Sequence, residues 1–220
     1  MGFKRITLFA GHYGSGKTNV AINYALLLKK SFERVKIADL DIVNPYFRTK
    51  DSERVLEENA VELISSDYAG TNVDFPALPA KAYSIIDDVG VHAVIDVGGD
   101  DRGALVLGRY SDKIKAGEDY EMFFVINKYR PLTRDAQNTA RIKTEIEKAG
   151  NLPFTAIVNN SNIGEETTEK DVLSALKYAR EVSALTGLPI KITSVKTDIA
   201  KNLKGEIDNL FPIKLYVKQG

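Results

Sequence analysis

Residues 11 to 18 read Gly11-His12-Tyr13-Gly14-Ser15-Gly16-Lys17-Thr18, a complete G-x-x-x-x-G-K-[ST] pattern. Glycines at this density let a main chain curl until successive N–H groups converge on one anion. A lysine straight after the last glycine reaches the β- and γ-phosphates of a nucleoside triphosphate, and a threonine hydroxyl beside it ligates Mg²⁺. The nucleotide-binding set is therefore Gly11, His12, Tyr13, Gly14, Ser15, Gly16, Lys17, Thr18 and the next residue, Asn19, with Lys17 also counted as catalytic.

Acidic residues must complete such a site. "KIADLDIVNPYFR" places Asp39 and Asp41 at the end of an apolar run. Carboxyl ends of strands are where ligands bind in open α/β sheets. Asp41 is assigned the attacking water and Asp39 a supporting place near the metal. "VHAVIDVGGDDRG" ends a second apolar run on Asp96, a carboxylate placed to hold Mg²⁺ through water. Gly98 and Gly99 then admit a backbone N–H close to the γ-phosphate, and a segment whose position depends on that phosphate is a switch. The metal set is Thr18, Asp39, Asp41 and Asp96.

The elements that must carry these residues are legible from periodicity. β-rich runs fall at 6–10, 34–39, 61–65, 91–97, 122–127, 154–159 and 190–195, several of them apolar almost throughout, as strands covered on both faces are. Thr168, with Asp171 three residues on and Gly187 beyond the end, marks a helix running to about Leu185. Pro131 and Gly150 bracket another from about Thr133 to Ala149. The tail "FPIKLYVKQG" alternates like an edge strand. The expected architecture is α/β: a mostly parallel sheet of about seven to eight strands flanked by helices on both faces, in one domain over residues 1–220. Residues 66–90, with Pro76 and Pro79 among aromatics, read as an irregular connection with a short helix, or a partner-binding surface.

Bulk properties remove several function classes. Thirty Lys and Arg balance thirty Asp and Glu, so no net field draws the chain to nucleic acid or anionic membrane. The absence of cysteine excludes disulfides, thiolate metal sites and cysteine-ligated iron–sulfur clusters. No cleavable signal and no spanning apolar run is evident, so the expected location is cytoplasmic.

From about Lys4 to Val195 the chain resembles the MinD/ParA and nitrogenase iron protein group, the dimer-forming SIMIBI branch of the P-loop NTPases with a deviant phosphate loop. The resemblance rests on "GHYGSGKT", on "ADLD" followed by "NP", on "DVGGD", and on "AIVNNSN" in the sixth strand. It implies ATP and Mg²⁺ as cofactors, Asn159 as the contact to the base with Asn160 as alternate, Asp41 as the catalytic residue, and Asp96 and Gly99 as the phosphate-sensing switch. It also implies slow, partner-stimulated ATP hydrolysis, a nucleotide-dependent homodimer and an unidentified protein partner. The group's signature lysine falls at His12, which would substitute only when protonated, or would simply pack in the loop. Arg48 and Arg102, each just past a switch, are alternative charge donors, and His92 is read as core. "NKYR" at 127–130 lacks the aspartate that reads guanine, which favours ATP over GTP. Two other classes fit the same loop: ATP-dependent carboxylate activation of the dethiobiotin synthetase or cobyrinate-amidating kind, and a non-hydrolysing nucleotide sensor or scaffold.

Overall fold

A computed structural model describes residues 2–40, 50–64, 85–98 and 101–217. Asp41, Arg48, Gly99 and residues 66–84 of the irregular region lie outside the described residues. Eight strands form one sheet in the order β3-β2-β4-β1-β5-β6-β7-β8: β1 (Ile6–Ala10), β2 (Val35–Leu40), β3 (Glu62–Ile64), β4 (His92–Val97), β5 (Tyr120–Ile126), β6 (Ala156–Asn159), β7 (Ile190–Lys196) and β8 (Leu210–Ile213). Every pairing is parallel. The helices are α1 (Lys17–Lys29), α2 (Lys50–Glu58), α3 (Asp101–Gly108), α4 (Ser111–Ala116), α5 (Ala136–Gly150), α6 (Glu169–Thr186) and α7 (Thr197–Ala200).

The apolar runs have the cause expected of them. In β1 and β5, Leu8, Ala10, Met122, Phe124 and Ile126 enter one core with Leu107, Ile114, Ile142 and Val182 from the helices on that side. Phe9, Phe123 and Val125 enter the opposite core with Val20, Ile22, Tyr24 and Leu28 of α1. Period-two alternation thus feeds two buried faces, with Thr7, Asp96 and Glu121 the polar side chains buried among the apolar ones on β1, β4 and β5. Burying each such Phe or Leu contributes about 1.5–3 kcal/mol. The tail enters the sheet as β8, parallel to β7.

Helix ends follow their caps, with one departure. Thr168 accepts from the Asp171 amide, the Asp171 carboxylate accepts from the Thr168 amide, and Gly187 closes α6 in the left-handed region at φ 71°. The hydroxyl and amide of Thr168 hold the Asp171 carboxyl below the usual carboxylate range. At α5 the proline start is overridden: Pro131–Thr133 is a separate 3₁₀ turn, and the helix begins at Ala136 because Asp135 accepts from the Asn138 amide. Gly150 lies inside α5, where an added Cβ would come within 3.2 Å of the Leu107 side chain, and Asn151 ends the helix at φ 47°. His92 opens β4 half-buried and stacked on Phe32, its ring centroid 3.5 Å away, and desolvation pushes its pKa down.

After β1 the chain builds β2, β3 and β4 on one side of that strand and then β5 to β8 on the other. The crevice at such a reversal, outside the carboxyl ends of the strands, is where an open α/β sheet takes its ligand.

Candidate functional site

The loop leaving β1 lies at that crevice, and its glycines are required by two different constraints. Gly11 passes so close to β5 that an added Cβ would stand 2.3 Å from the Val125 carbonyl oxygen. Gly14 and Gly16 lie in the left-handed region at φ 74° and 82°, where a side chain is strained. Gly16 caps α1 with no side-chain acceptor, and the first turn carries no acidic residue, so the positive end of the helix is left for an external anion.

Four successive carbonyls of the loop are tied back. That of His12 accepts from the Ser15 amide at 3.1 Å and from Lys17 Nζ at 3.4 Å. The carbonyl of Tyr13 accepts from His12 Nδ1 at 2.9 Å, that of Gly14 from Arg130 Nε at 2.7 Å, and that of Ser15 from Asn160 Nδ2 at 2.7 Å. A trans peptide points its N–H opposite to its C=O, so these bonds aim the amides of Tyr13, Gly14 and Gly16 the other way. Three amides of the loop, those of Tyr13, Gly14 and Gly16, are thereby turned away from its protein partners.

Beside it, Thr18 Oγ1 donates to Asp96 Oδ2. Asp96 is 3% exposed and stands in register with Asp39 on the neighbouring strand. Both follow the alternation that sends Val94 and Ile37 into the core on the α1 side, so both carboxylates face α1. A mostly apolar pocket opens there, walled by Ile22, Ile37, Leu56 and Leu63, with Thr18, Asp39, Ser52, Glu53 and Asp96 also on its lining. A hydroxyl and a carboxylate, hard oxygen donors already bonded to each other, suit Mg²⁺ held through few protein ligands and several waters. Among the described residues no three His, Cys, Asp or Glu side chains gather into an all-protein cage. Of the residues assigned to the metal, Thr18, Asp39 and Asp96 are thus brought together, while Asp41, and Gly99 of the switch, lie outside the described residues.

On the other side of the loop the ends of β5 and β6 are stitched together. Asn127 donates to the Asn162 carbonyl at 3.0 Å and accepts from the Tyr129 and Asn162 amides at 3.0 and 3.3 Å. The side-chain oxygen of Asn159 takes the Ser161 hydroxyl at 2.7 Å, and the residue is 1% exposed. Asn160, its neighbour, reaches the phosphate loop instead. Tyr13 is exposed, and the His12 ring is turned back onto its own loop.

Asn19 has a second engagement. Its Oδ1 accepts from the Tyr216 and Val217 amides at 2.8 and 3.0 Å, and its Nδ2 donates to the Val217 carbonyl at 2.9 Å. One turn on, Asn23 donates to Asn19 O at 2.7 Å and to Lys214 O at 2.8 Å and accepts from the Lys214 amide at 3.0 Å. The segment after β8 is therefore strapped along the start of α1. Asn23→Ala is expected to lower stability by about 1–2 kcal/mol, a drop in Tm of roughly 2–8 °C in thermal unfolding. An unchanged Tm would show the strap to be energetically idle.

Arg130, Asn127 and Asn160 are not assigned as supports of the loop from sequence, where "NKYR" is weighed only as a guanine-reading motif and "AIVNNSN" only as a base contact.

No protein-family model matches the sequence. No curated protein matches it either. Solved structures do. FtsY from Mycoplasma mycoides superimposes with a TM-score of 0.57 at 19% identity, over 86% of this chain and 59% of that one. FtsY from Thermotoga maritima gives 0.55 at 19%, over 86% and 61%. The 54 kDa signal recognition particle protein from Aeropyrum pernix K1, in complex with GDP, gives 0.54 at 20%, over 86% and 40%. The chain thus covers less than two thirds of the length of each. At these identities the likeness shows the fold, an α/β P-loop NTPase fold with a parallel sheet between layers of helices. No helix among the described residues is long and apolar enough to cross a membrane.

Proposed function

We propose that the chain is a Mg²⁺-dependent P-loop NTPase of the SIMIBI class that binds ATP, hydrolyses it slowly and works as a nucleotide-driven switch of the MinD/ParA type. The observation that carries this reading is the tied-back loop itself, with the amides of Tyr13, Gly14 and Gly16 turned away from the bonded carbonyls and the Lys17 ammonium folded back beside them onto the His12 carbonyl. Fold likeness to FtsY supports the class but not the base or the partner.

In this reading the loop amides take the phosphate oxygens, and Lys17 transfers its ammonium from the His12 carbonyl to the β- and γ-phosphates. Thr18 and Asp96 would hold Mg²⁺, with Asp39 beside them. An ion held by these residues would supply positive charge to the phosphate oxygens. Asp41 orients the attacking water. Gly99, three residues past Asp96, senses the γ-phosphate, so ATP shifts the segments after β2 and β4 to a state that favours a homodimer able to engage a protein partner.

A second reading, GTP in place of ATP, is favoured by the GDP carried by the Aeropyrum pernix relative in fold. Titration with Mg²⁺-ATP and Mg²⁺-GTP, followed by sizing with ADP and with a non-hydrolysable ATP analogue, tests both. The expected result is tighter binding of ATP and a dimer with the analogue alone. Preference for GTP selects the second reading, a monomer under both conditions removes the dimer switch, and binding of neither nucleotide overturns the proposal.

A further inference from the structure

A loop built on three glycines has the most backbone freedom to lose, so a preformed cradle needs something to hold it. Two side chains do so from the far side of the site. Arg130 Nε donates to the Gly14 carbonyl at 2.7 Å, and a Cβ added at Gly14 would meet Arg130 Nε, Cδ and Cζ at 3.4, 3.5 and 3.7 Å, so the arginine side chain packs directly against the glycine. Asn160 Nδ2 holds the next carbonyl, that of Ser15, while its own Oδ1 accepts from Ser194 Oγ at 2.6 Å.

The base of Arg130 is itself fixed. Its amide donates to the Asn127 carbonyl at 3.3 Å, its carbonyl accepts from the Thr133 amide at 3.1 Å, and Pro131 restricts the residue before it, Arg130, to the extended backbone seen at φ −101° and ψ 140°. Asn127, fully buried, is joined to Asn162 by bonds in both directions. A rigid turn therefore presents a permanently charged, planar donor to the crest of a flexible loop. Holding the Gly14 carbonyl fixes the peptide that carries the Ser15 amide, and with it the Ser15-to-His12 turn on which the cradle is folded.

We infer that Arg130 is a positioning residue of the phosphate loop: it acts through Gly14, keeping the cradle formed before ligand arrives, so that binding need not order the loop. That phosphate is the ligand rests on the function proposed above; that Arg130 orders the loop does not. Preorganisation raises affinity by removing an ordering cost.

The test separates the two. In nucleotide-free protein, hydrogen exchange of the Ser15 amide, the loop amide bonded to the His12 carbonyl, is expected to be about tenfold faster in Arg130→Met, the scale of one charge-assisted hydrogen bond, and about threefold faster in Arg130→Lys, which keeps charge without the planar fork. The Kd for Mg²⁺-ATP is expected to rise by matching factors, with exchange in β5 and α6 unchanged. Wild-type exchange at the loop in both variants overturns the inference, as does faster exchange with an unaltered Kd. A rise spread evenly over the whole chain, the mark of a merely structural residue, overturns it too. Arg130→Lys carries the test should Arg130→Met fail to fold. Absence of ATP binding by the wild type would refute the proposed function and leave the exchange comparison standing.

Discussion

Lys17→Ala is expected to abolish nucleotide binding, raising the Kd for Mg²⁺-ATP by at least about a hundredfold. Lys17 is 7% exposed, and its ammonium lies 3.4 Å from the His12 carbonyl, a long bond that a phosphate oxygen can displace. Hydrogen bonds from a charged donor contribute about 1.5–3 kcal/mol each, and two phosphates engaged at once give a loss of roughly two to four decades. Loop amides and the free end of α1 would remain, but neutral donors do not replace a cation among several negative charges. Equilibrium titration with a fluorescent nucleotide reads the loss, and thermal unfolding confirms that the variant is folded. A Kd within threefold of wild type would remove Lys17 from the site and the phosphate cradle with it.

What the sequence made legible follows from how local each determinant is. Strands β1, β4 and β5 were readable because burial on two faces leaves an apolar run, and α6 because Thr168, Asp171 and Gly187 carry its ends within a few residues of the helix. The start of α5 was not, since Pro131 gives the same local signal whether it opens a helix or a 3₁₀ turn; only the Asp135 bond to the Asn138 amide decides. Likewise no local pattern encodes the insertion of β4 between β1 and β2, which rests on pairings far apart in the chain.

The site divides along the same line. Residues 11 to 18 are a contiguous pattern whose glycines, lysine and threonine have their reasons within the loop. Its supports are distant: Arg130 is 116 positions from Gly14, Asn160 is 145 from Ser15, and Asn19 grips a segment 197 and 198 positions on. Asn159 and Asn160 illustrate how little separates two roles. At the end of a strand successive side chains leave on opposite sides, so one amide turns to Ser161 and the next to the phosphate loop, a distinction of one residue that composition cannot express.

Asp96→Asn is expected to leave the protein folded and able to bind ATP, yet to reduce hydrolysis by about a hundredfold or more and to remove the Mg²⁺ dependence of binding. The substitution is nearly isosteric, and the amide oxygen still accepts from the Thr18 hydroxyl, so the buried pair keeps its geometry. What is lost is the charge. In the wild type, Asp39 and Asp96 stand side by side in register, both on the α1 face, an arrangement that disfavours two carboxylates unless a cation lies near them. With one neutralised, the attraction for a divalent ion at Thr18 falls, and so does the stabilisation of charge developing on the phosphate oxygens. Asp41→Ala should behave differently, retaining the Mg²⁺ dependence of ATP binding while losing turnover, because it is assigned the water. Single-turnover hydrolysis and ATP titration at stepped Mg²⁺ concentrations distinguish them. Equal Mg²⁺ dependence in wild type and Asp96→Asn would show that the ion is not held at this strand tip. Normal hydrolysis by Asp41→Ala would move the water to another residue.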